Sequence, residues 1–415
     1  MKQSSISYNK TIYLICMFFL MLTNGALVNY VFSIPPFNMW RQIIWILGLY
    51  FLLKFFQKTE YSYILHPIIR FHKNIFIYIF LLSIFTFVLL GFNPIRLGYA
   101  FWTYFAGLPF LILPFLYSKS NVAPKKLINF LVYSGLFFCS GLIVDFLTGG
   151  LITLFLGIDR LLDADSLEQT SRYLYTAEAP TTFSVVLCLQ LICLLWKMNR
   201  EKSTLYLIID FIILAIYFVG SWFTGSRQLI LVLSIVVAIA FAYQIFFTKK
   251  GLKLLVISTL LISVAGSSIY NTLYSNDSYA SRYSAEDIKE DKRSVAWKTG
   301  FNETILDPAV LIFGNGIGYT SGKAGVGEKA GNHYENSYFA RISDTGFIGL
   351  ILLLFPVTYF FKRMSYKRFV DVLFLAFYLS YLIICFVSPN GASPTTQMAI
   401  YLGLGMFICK DYFFK

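Results

Sequence analysis

Long apolar runs alternate along this chain with short polar interruptions. Each run is about 17–25 residues, enough for a helix to cross a bilayer. They lie near 11–32, 38–56, 74–92, 98–117, 126–147, 181–197, 204–222, 228–247, 254–272, 343–361, 370–387 and 394–410. Backbone N–H and C=O groups find no water in lipid, so each run must be helical. The pattern predicts an all-α integral membrane protein of about 12 transmembrane helices, one polytopic domain over 1–415.

Two interruptions exceed hairpin length, 148–181 and 273–345. The first opens with the run Leu151 to Leu156, which suits a short interfacial helix. In the second, Val295 to Leu306 reads as helix and Asp307-Pro308 ends it. The glycine-rich stretch from Gly314 to Gly331 reads as flexible loop. No internal repeat is apparent.

Composition narrows the class. The chain is 57% hydrophobic and 13% charged, whereas a soluble protein carries about 25% charged residues. A net charge of +13 would suggest nucleic acid in a soluble protein. Here basic cytoplasmic loops account for it, and no nucleic-acid partner is expected. The six cysteines lie in or beside apolar runs, which excludes a disulfide framework or Cys-rich metal motif in the large insert. The run 11–32 is too long for a cleaved signal and reads as a retained first helix.

Placing the N-terminus inside makes nearly every short inside loop basic, among them those holding Lys125 and Lys126, Lys197 to Lys202, Lys249 to Lys253, and Lys362 to Arg368. Most of the acids then fall outside. Both termini are therefore expected in the cytoplasm and the insert 273–345 outside, periplasmic if the membrane is a Gram-negative inner membrane.

The outer side gathers arginines: Arg227 in the turn Thr224-Gly225-Ser226-Arg227, Arg172 and Arg282 and Arg293 in the long loops, and Arg341 at the exit of the insert. A guanidinium fork matches phosphate oxygens, so a pyrophosphate at the lipid boundary is a natural ligand. Snorkelling or pairing with outer acids is the bland alternative for any one of them. His333 is the outer histidine, with Glu335 two residues on; either side chain suits a general base. Asn336, Tyr338 and Arg341 follow where the insert re-enters the membrane, and are assigned to the glycan of a lipid-linked substrate. His66 and His72 fall on an inside loop beside Arg70 and Lys73, where solvation is expected.

Other features carry less. The run Gly314-Asn315-Gly316-Ile317-Gly318 lacks the strand–glycine–helix context of a dinucleotide loop. Asp163-Ala164-Asp165 has a metal-binding spacing, but Asp159 and Glu168 nearby make a plain acidic loop the simpler account, and no metal is assigned. Asp145, near the outer end of its run, is a buried-acid candidate or an interface residue.

Three motifs, in order, resemble the O-antigen polymerase (Wzy-type) and O-antigen ligase superfamily. The first is the Ser-Arg turn opening a span, Ser226-Arg227-Gln228-Leu229. The second is Arg293 followed by Trp297, a helix, Asp307-Pro308 and Gly314-x-Gly316-x-Gly318. The third is Asn336-Ser337-Tyr338 followed by Gly346 and Gly349. The resemblance covers about the second half of the chain; the first half matches in hydropathy. It implies a bundle of helices that needs no metal, nucleotide or other cofactor, with Arg227 and Arg293 holding an undecaprenyl pyrophosphate. Many members carry His directly before the Asn of the third motif; here Glu335 stands there and His333 two residues earlier. The base stays open between the two.

The resulting expectation is a membrane polymerase of undecaprenyl-pyrophosphate-linked glycan units, in the bacterial inner membrane with a flippase and a chain-length regulator as partners. The alternatives are a ligase that hands the glycan to lipid A core, and a transporter or flippase. Transporters usually show paired repeats with broken helices at mid-membrane, and no such symmetry is apparent in the sequence.

Overall fold

The computed structural model describes residues 62–91, 93–118, 123–151, 180–201, 203–224, 226–247, 293–320 and 336–414, together with position 46. The expected runs 11–32, 38–56 and 254–272 lie outside them, as does most of the loop 148–181. Among the described residues the chain is all-helical, and seven helices are long and apolar enough to cross a membrane. The protein is thus a multi-pass membrane protein.

The helices are α1 (Ser62–Leu90), α2 (Pro94–Phe105), α3 (Leu108–Ser118), α4 (Ala123–Leu147), α5 (Pro180–Arg200), α6 (Thr204–Phe223), α7 (Arg227–Phe247), α8 (Arg293–Thr304), α9 (Pro308–Phe313), α10 (Ser337–Phe361), α11 (Phe369–Val387), α12 (Pro394–Ile408) and α13 (Lys410–Phe413). A 3-10 turn, Pro389–Ala392, joins α11 to α12.

Helices α5 and α12 form the centre. From Phe183 to Leu195 every side chain of α5 is buried, and α12 is buried from Pro394 to Phe407. Helix α5 packs on α4, α7, α11 and α12, and α12 packs on α2 and α3. Peripheral helices invert the soluble pattern. On α1, Ile68, His72, Ile75, Ile79, Ser83 and Thr86 recur at helical spacing and face inward. Phe76, Ile77, Phe80, Leu81, Ile84, Phe85 and Val88 face outward, as a lipid-facing stripe would.

Several expected boundaries shift. The run 98–117 is two helices, because Pro109 has no N–H for the carbonyl four residues back and the chain breaks at Ala106-Gly107. The run 394–410 gives a helix of 15 residues, about 22 Å long and short of a roughly 30 Å hydrocarbon core. Being buried all round, it need not match the lipid. Helix α1 starts at Ser62, so much of the expected inside loop is helical. His66 is exposed there, but His72 is buried rather than solvated. Its Nδ1 donates to Ile68 O at 2.7 Å, and its Nε2 accepts from the Tyr401 hydroxyl at 2.6 Å. Asp145 is buried near the end of α4.

Among the described residues, ion pairs gather at one end of the bundle. Lys197 meets Asp210 at 2.6 Å between α5 and α6. Lys410 meets Asp371 at 2.6 Å between α13 and α11, and Asp371 also accepts from Ser365 N. Arg368 meets Asp411 at 2.7 Å on the surface. All six residues belong to segments assigned to the same side by charge.

Asp371 is fully buried. Asp371→Ala should therefore lower stability by about 3–5 kcal/mol, because it strands the Lys410 ammonium. The double variant Asp371→Leu with Lys410→Met should recover much of that loss. Thermal unfolding in detergent checks this; a double variant no better than the single one would mean the charge pair is not what the site depends on.

Candidate functional site

The other end of the bundle is built around a break in α10. Thr345 (φ −140°, ψ 19°) and Gly346 (φ 64°, ψ −158°) leave helical geometry, which divides the element into Ser337–Asp344 and a following transmembrane part. The positive φ at residue 346 suits glycine. A Cβ there would also collide with the Ile312 carbonyl.

A break frees carbonyls one turn earlier, and buried carbonyls need donors. The insert supplies them. Asn315 N donates to Ser343 O at 2.6 Å and Gly316 N to Asp344 O at 3.1 Å. Helix α9, capped by Asp307 through Ala309 N and Val310 N, delivers this turn onto α10. The part of the glycine run up to Thr320, expected as flexible loop, is thus a docked turn. Gly314 (φ 74°) packs against the backbone of Asp344 and Thr345, with no room for a side chain.

Side chains extend the same junction. Asp344 Oδ1 accepts from Thr320 N at 2.9 Å and Thr320 Oγ1 at 3.0 Å; Oδ2 accepts from the Tyr104 hydroxyl at 3.3 Å. Thr345 Oγ1 donates to the same Tyr104 oxygen at 3.3 Å. The Arg341 guanidinium stacks over the Tyr104 ring, 3.8 Å from its centroid, and Nη2 donates to Ala392 O at 2.6 Å. Helix α2, the insert, α10 and the 3-10 turn thereby meet in one buried polar cluster.

Beside it, three elements converge on the last residues of α11. Gln228 Nε2 donates to Val387 O at 3.1 Å. Asn336 Nδ2 donates to Phe386 O at 2.9 Å, and Ser337 Oγ to Ser388 O at 2.6 Å. The Trp297 ring lies 4.7 Å from that of Phe386, centroid to centroid. The Ser-Arg turn, the Arg–Trp helix and the Asn-Ser-Tyr motif, far apart in sequence, share this anchor.

Arg227 and Arg293 begin α7 and α8, one residue before Gln228 and one turn before Trp297. Their backbones thus stand at the end of the bundle where Asn336 sits; their side chains lie outside what is described. Arg172, Arg282, His333 and Glu335 lie outside the described residues, as does Asp163-Ala164-Asp165. Asn336, Tyr338 and Arg341, expected to meet a glycan, are described and turned inward. Asn336 Oδ1 caps α10 through Tyr338 N at 2.8 Å while its amide holds Phe386 O. The Tyr338 hydroxyl donates to Leu382 O at 2.9 Å. Arg341 is 5% exposed rather than open at the insert exit, because α10 begins at Ser337.

The sequence reading missed Tyr104, Thr320 and Asp344, and named Gln228 within the Ser-Arg turn without giving it a role. An acid followed by Thr345-Gly346 at the start of an apolar run was the available signal for Asp344. Tyr104 inside an apolar run gave none. Comparison with protein-family models gives no match, and comparison with curated proteins gives none either.

Asp344→Ala would strand the buried donors of Thr320 and Tyr104, at about 1–3 kcal/mol for each group left unpaired. Tyr104→Phe keeps the ring under Arg341 and leaves one group, Asp344 Oδ2, without its long 3.3 Å donor, so it should cost less, about 1 kcal/mol. Thermal unfolding of both variants in detergent checks this ranking; equal losses would remove the carboxylate from its central place.

Proposed function

We propose that the protein is a membrane glycosyltransferase that polymerises undecaprenyl-pyrophosphate-linked repeat units into O-antigen or a related surface polysaccharide. One observation carries this reading: the three motifs that resemble the polymerase superfamily share the last residues of α11 as anchor. That anchor holds the helix starts at Arg227 and Arg293 at one end of the bundle.

In this reading the ion-paired end faces the cytoplasm with both termini, and the motif-bearing end faces the periplasm across the inner membrane. The donor is a growing glycan on undecaprenyl pyrophosphate, and the acceptor is a terminal hydroxyl of a new lipid-linked unit. The hydroxyl oxygen attacks the anomeric carbon and forms the glycosidic bond. The bond to pyrophosphate breaks, and its electron pair leaves with the lipid carrier. His333 or Glu335 receives the hydroxyl proton. Arg227 and Arg293, with Arg172 and Arg282, stabilise the charge developing on the leaving group. Holding two membrane-anchored substrates in one orientation supplies much of the remaining acceleration. The sugar–pyrophosphate bond already stores the driving energy. Asn336 and Tyr338 place the catalytic segment by fixing the start of α10. A flippase would supply the units and a chain-length regulator would act on the product.

Arg227→Ala combined with Arg293→Ala should abolish elongation of radiolabelled lipid-linked units in membranes. Unchanged chain length in that variant would overturn the assignment. Deleting the protein should leave core capped with a single unit; bare core would instead mean transfer of finished glycan to lipid A core.

A further inference from the structure

Helix α1 carries charge on the face that otherwise meets lipid. Arg70 and Lys73 are exposed and share a helical register with the exposed Ile77, Phe80, Ile84 and Val88. From Ile75 to Leu89 the helix rises about 22 Å, less than the roughly 30 Å of a hydrocarbon core. Neither cation is carried by a loop into bulk water. Both continue the lipid-facing stripe at headgroup depth, where a long basic side chain snorkels towards phosphate.

Helix α10 extends the patch. Phe71, directly after Arg70, stacks on Phe355 of α10 with centroids 4.3 Å apart, and Phe355 lies 5.9 Å from Tyr359. The Arg363 guanidinium sits over the Tyr359 ring, 4.5 Å from its centroid. A half-buried aromatic seam therefore runs from Arg70 on one helix to Arg363 at the end of the other. Among the described residues no carboxylate pairs with Arg70, Lys73 or Arg363; the acids that form ion pairs at this end, Asp210, Asp371 and Asp411, hold Lys197, Lys410 and Arg368. In the same seam the Tyr359 hydroxyl is buried without a hydrogen-bond partner. Unpaired cations and an orphan hydroxyl beside a lipid-facing stripe call for an anionic acceptor that comes from the bilayer.

We propose that this seam binds the headgroup of an anionic phospholipid in the leaflet at the ion-paired end. The phosphate oxygens meet Arg70, Lys73 and Arg363 and accept from the Tyr359 hydroxyl, while the acyl chains lie along Ile77, Phe80 and Ile84. A lipid fits better than a soluble anion because it covers both the charges and the apolar stripe beside them. The site lies at the end of the bundle opposite the three motifs and does not depend on the glycan-transfer reading.

Native mass spectrometry of the full-length purified protein in detergent tests this, with phosphatidylglycerol, phosphatidylcholine and inorganic phosphate as probes. Phosphatidylglycerol should bind about tenfold or more tightly than phosphatidylcholine. Removing the seam charges together, as Arg70→Gln with Lys73→Gln and Arg363→Gln, should weaken phosphatidylglycerol binding by about tenfold or more. Removing three exposed charges elsewhere on the basic side, as Lys125→Gln with Lys126→Gln and Lys367→Gln, should change it by less than about twofold. Equal losses in the two triple variants, or equal binding of the two lipids, overturn the proposal. So does displacement of phosphatidylglycerol by inorganic phosphate, which would make the seam a general anion site. A photoactivatable phosphatidylglycerol needs no substitution: on the wild-type protein it should label peptides that hold Phe71 or Tyr359, and labelling confined to other peptides overturns the site.

Discussion

A carbonyl buried away from water must find a donor, and α10 frees its own by breaking at Thr345 and Gly346. The amides of Asn315 and Gly316 fill that vacancy at the Ser343 and Asp344 carbonyls. The rest of this end of the bundle follows from that exchange. The break lets the insert turn sit directly on the helix, and the turn brings Thr320 within reach of the Asp344 carboxylate. Asp344 in turn binds the hydroxyl of Tyr104, whose ring supports Arg341. A continuous α10 would satisfy its own carbonyls and give the insert no backbone to bind.

The transmembrane pattern was legible because hydropathy and length report directly on the bilayer. Each of the seven described candidate spans overlaps an expected run. What hydropathy does not report is which runs face lipid at all. Helix α12 is apolar yet buried on every side, so its short length is harmless. His72 looked like a loop residue because its partner, Tyr401, is distant in sequence and reaches it only through packing. At the end opposite the ion pairs the motifs could be read in order, but not their shared anchor. Phe386, Val387 and Ser388 contribute carbonyl oxygens, and carbonyl positions carry no side-chain signature.

Polar residues have unequal meanings in this fold. Ser83 and Thr86 on α1 donate to carbonyls four residues back in their own helix, which satisfies a hydroxyl without requiring a neighbour. Tyr217 and Gln190 bridge between helices and fix how α4, α5 and α6 meet, through Val132 O and Ser134. Lys197 with Asp210 and Lys410 with Asp371 neutralise each other at the basic end. These groups are explained by the architecture they hold. At the other end Arg341 is accounted for in the same way, donating to Ala392 O and stacking over the Tyr104 ring.

The exit motif shows how architecture and chemistry divide there. Both polar atoms of the Asn336 amide are committed, one to the start of α10 and one to Phe386 O, and the Ser337 hydroxyl is committed to Ser388 O. Side chains so occupied fix the start of α10 against the end of α11. Gln228 does the same for α7, so the helix start at Arg227 is held by the neighbouring residue's grip on Val387 O. Trp297 does it for α8 through Phe386. In each motif an uncharged residue makes the anchoring contact. In two of them an arginine stands one residue or one turn before it, and in the third Arg341 follows five residues later. In all three motifs, then, neutral groups on the last residues of α11 hold the frame at this end of the bundle.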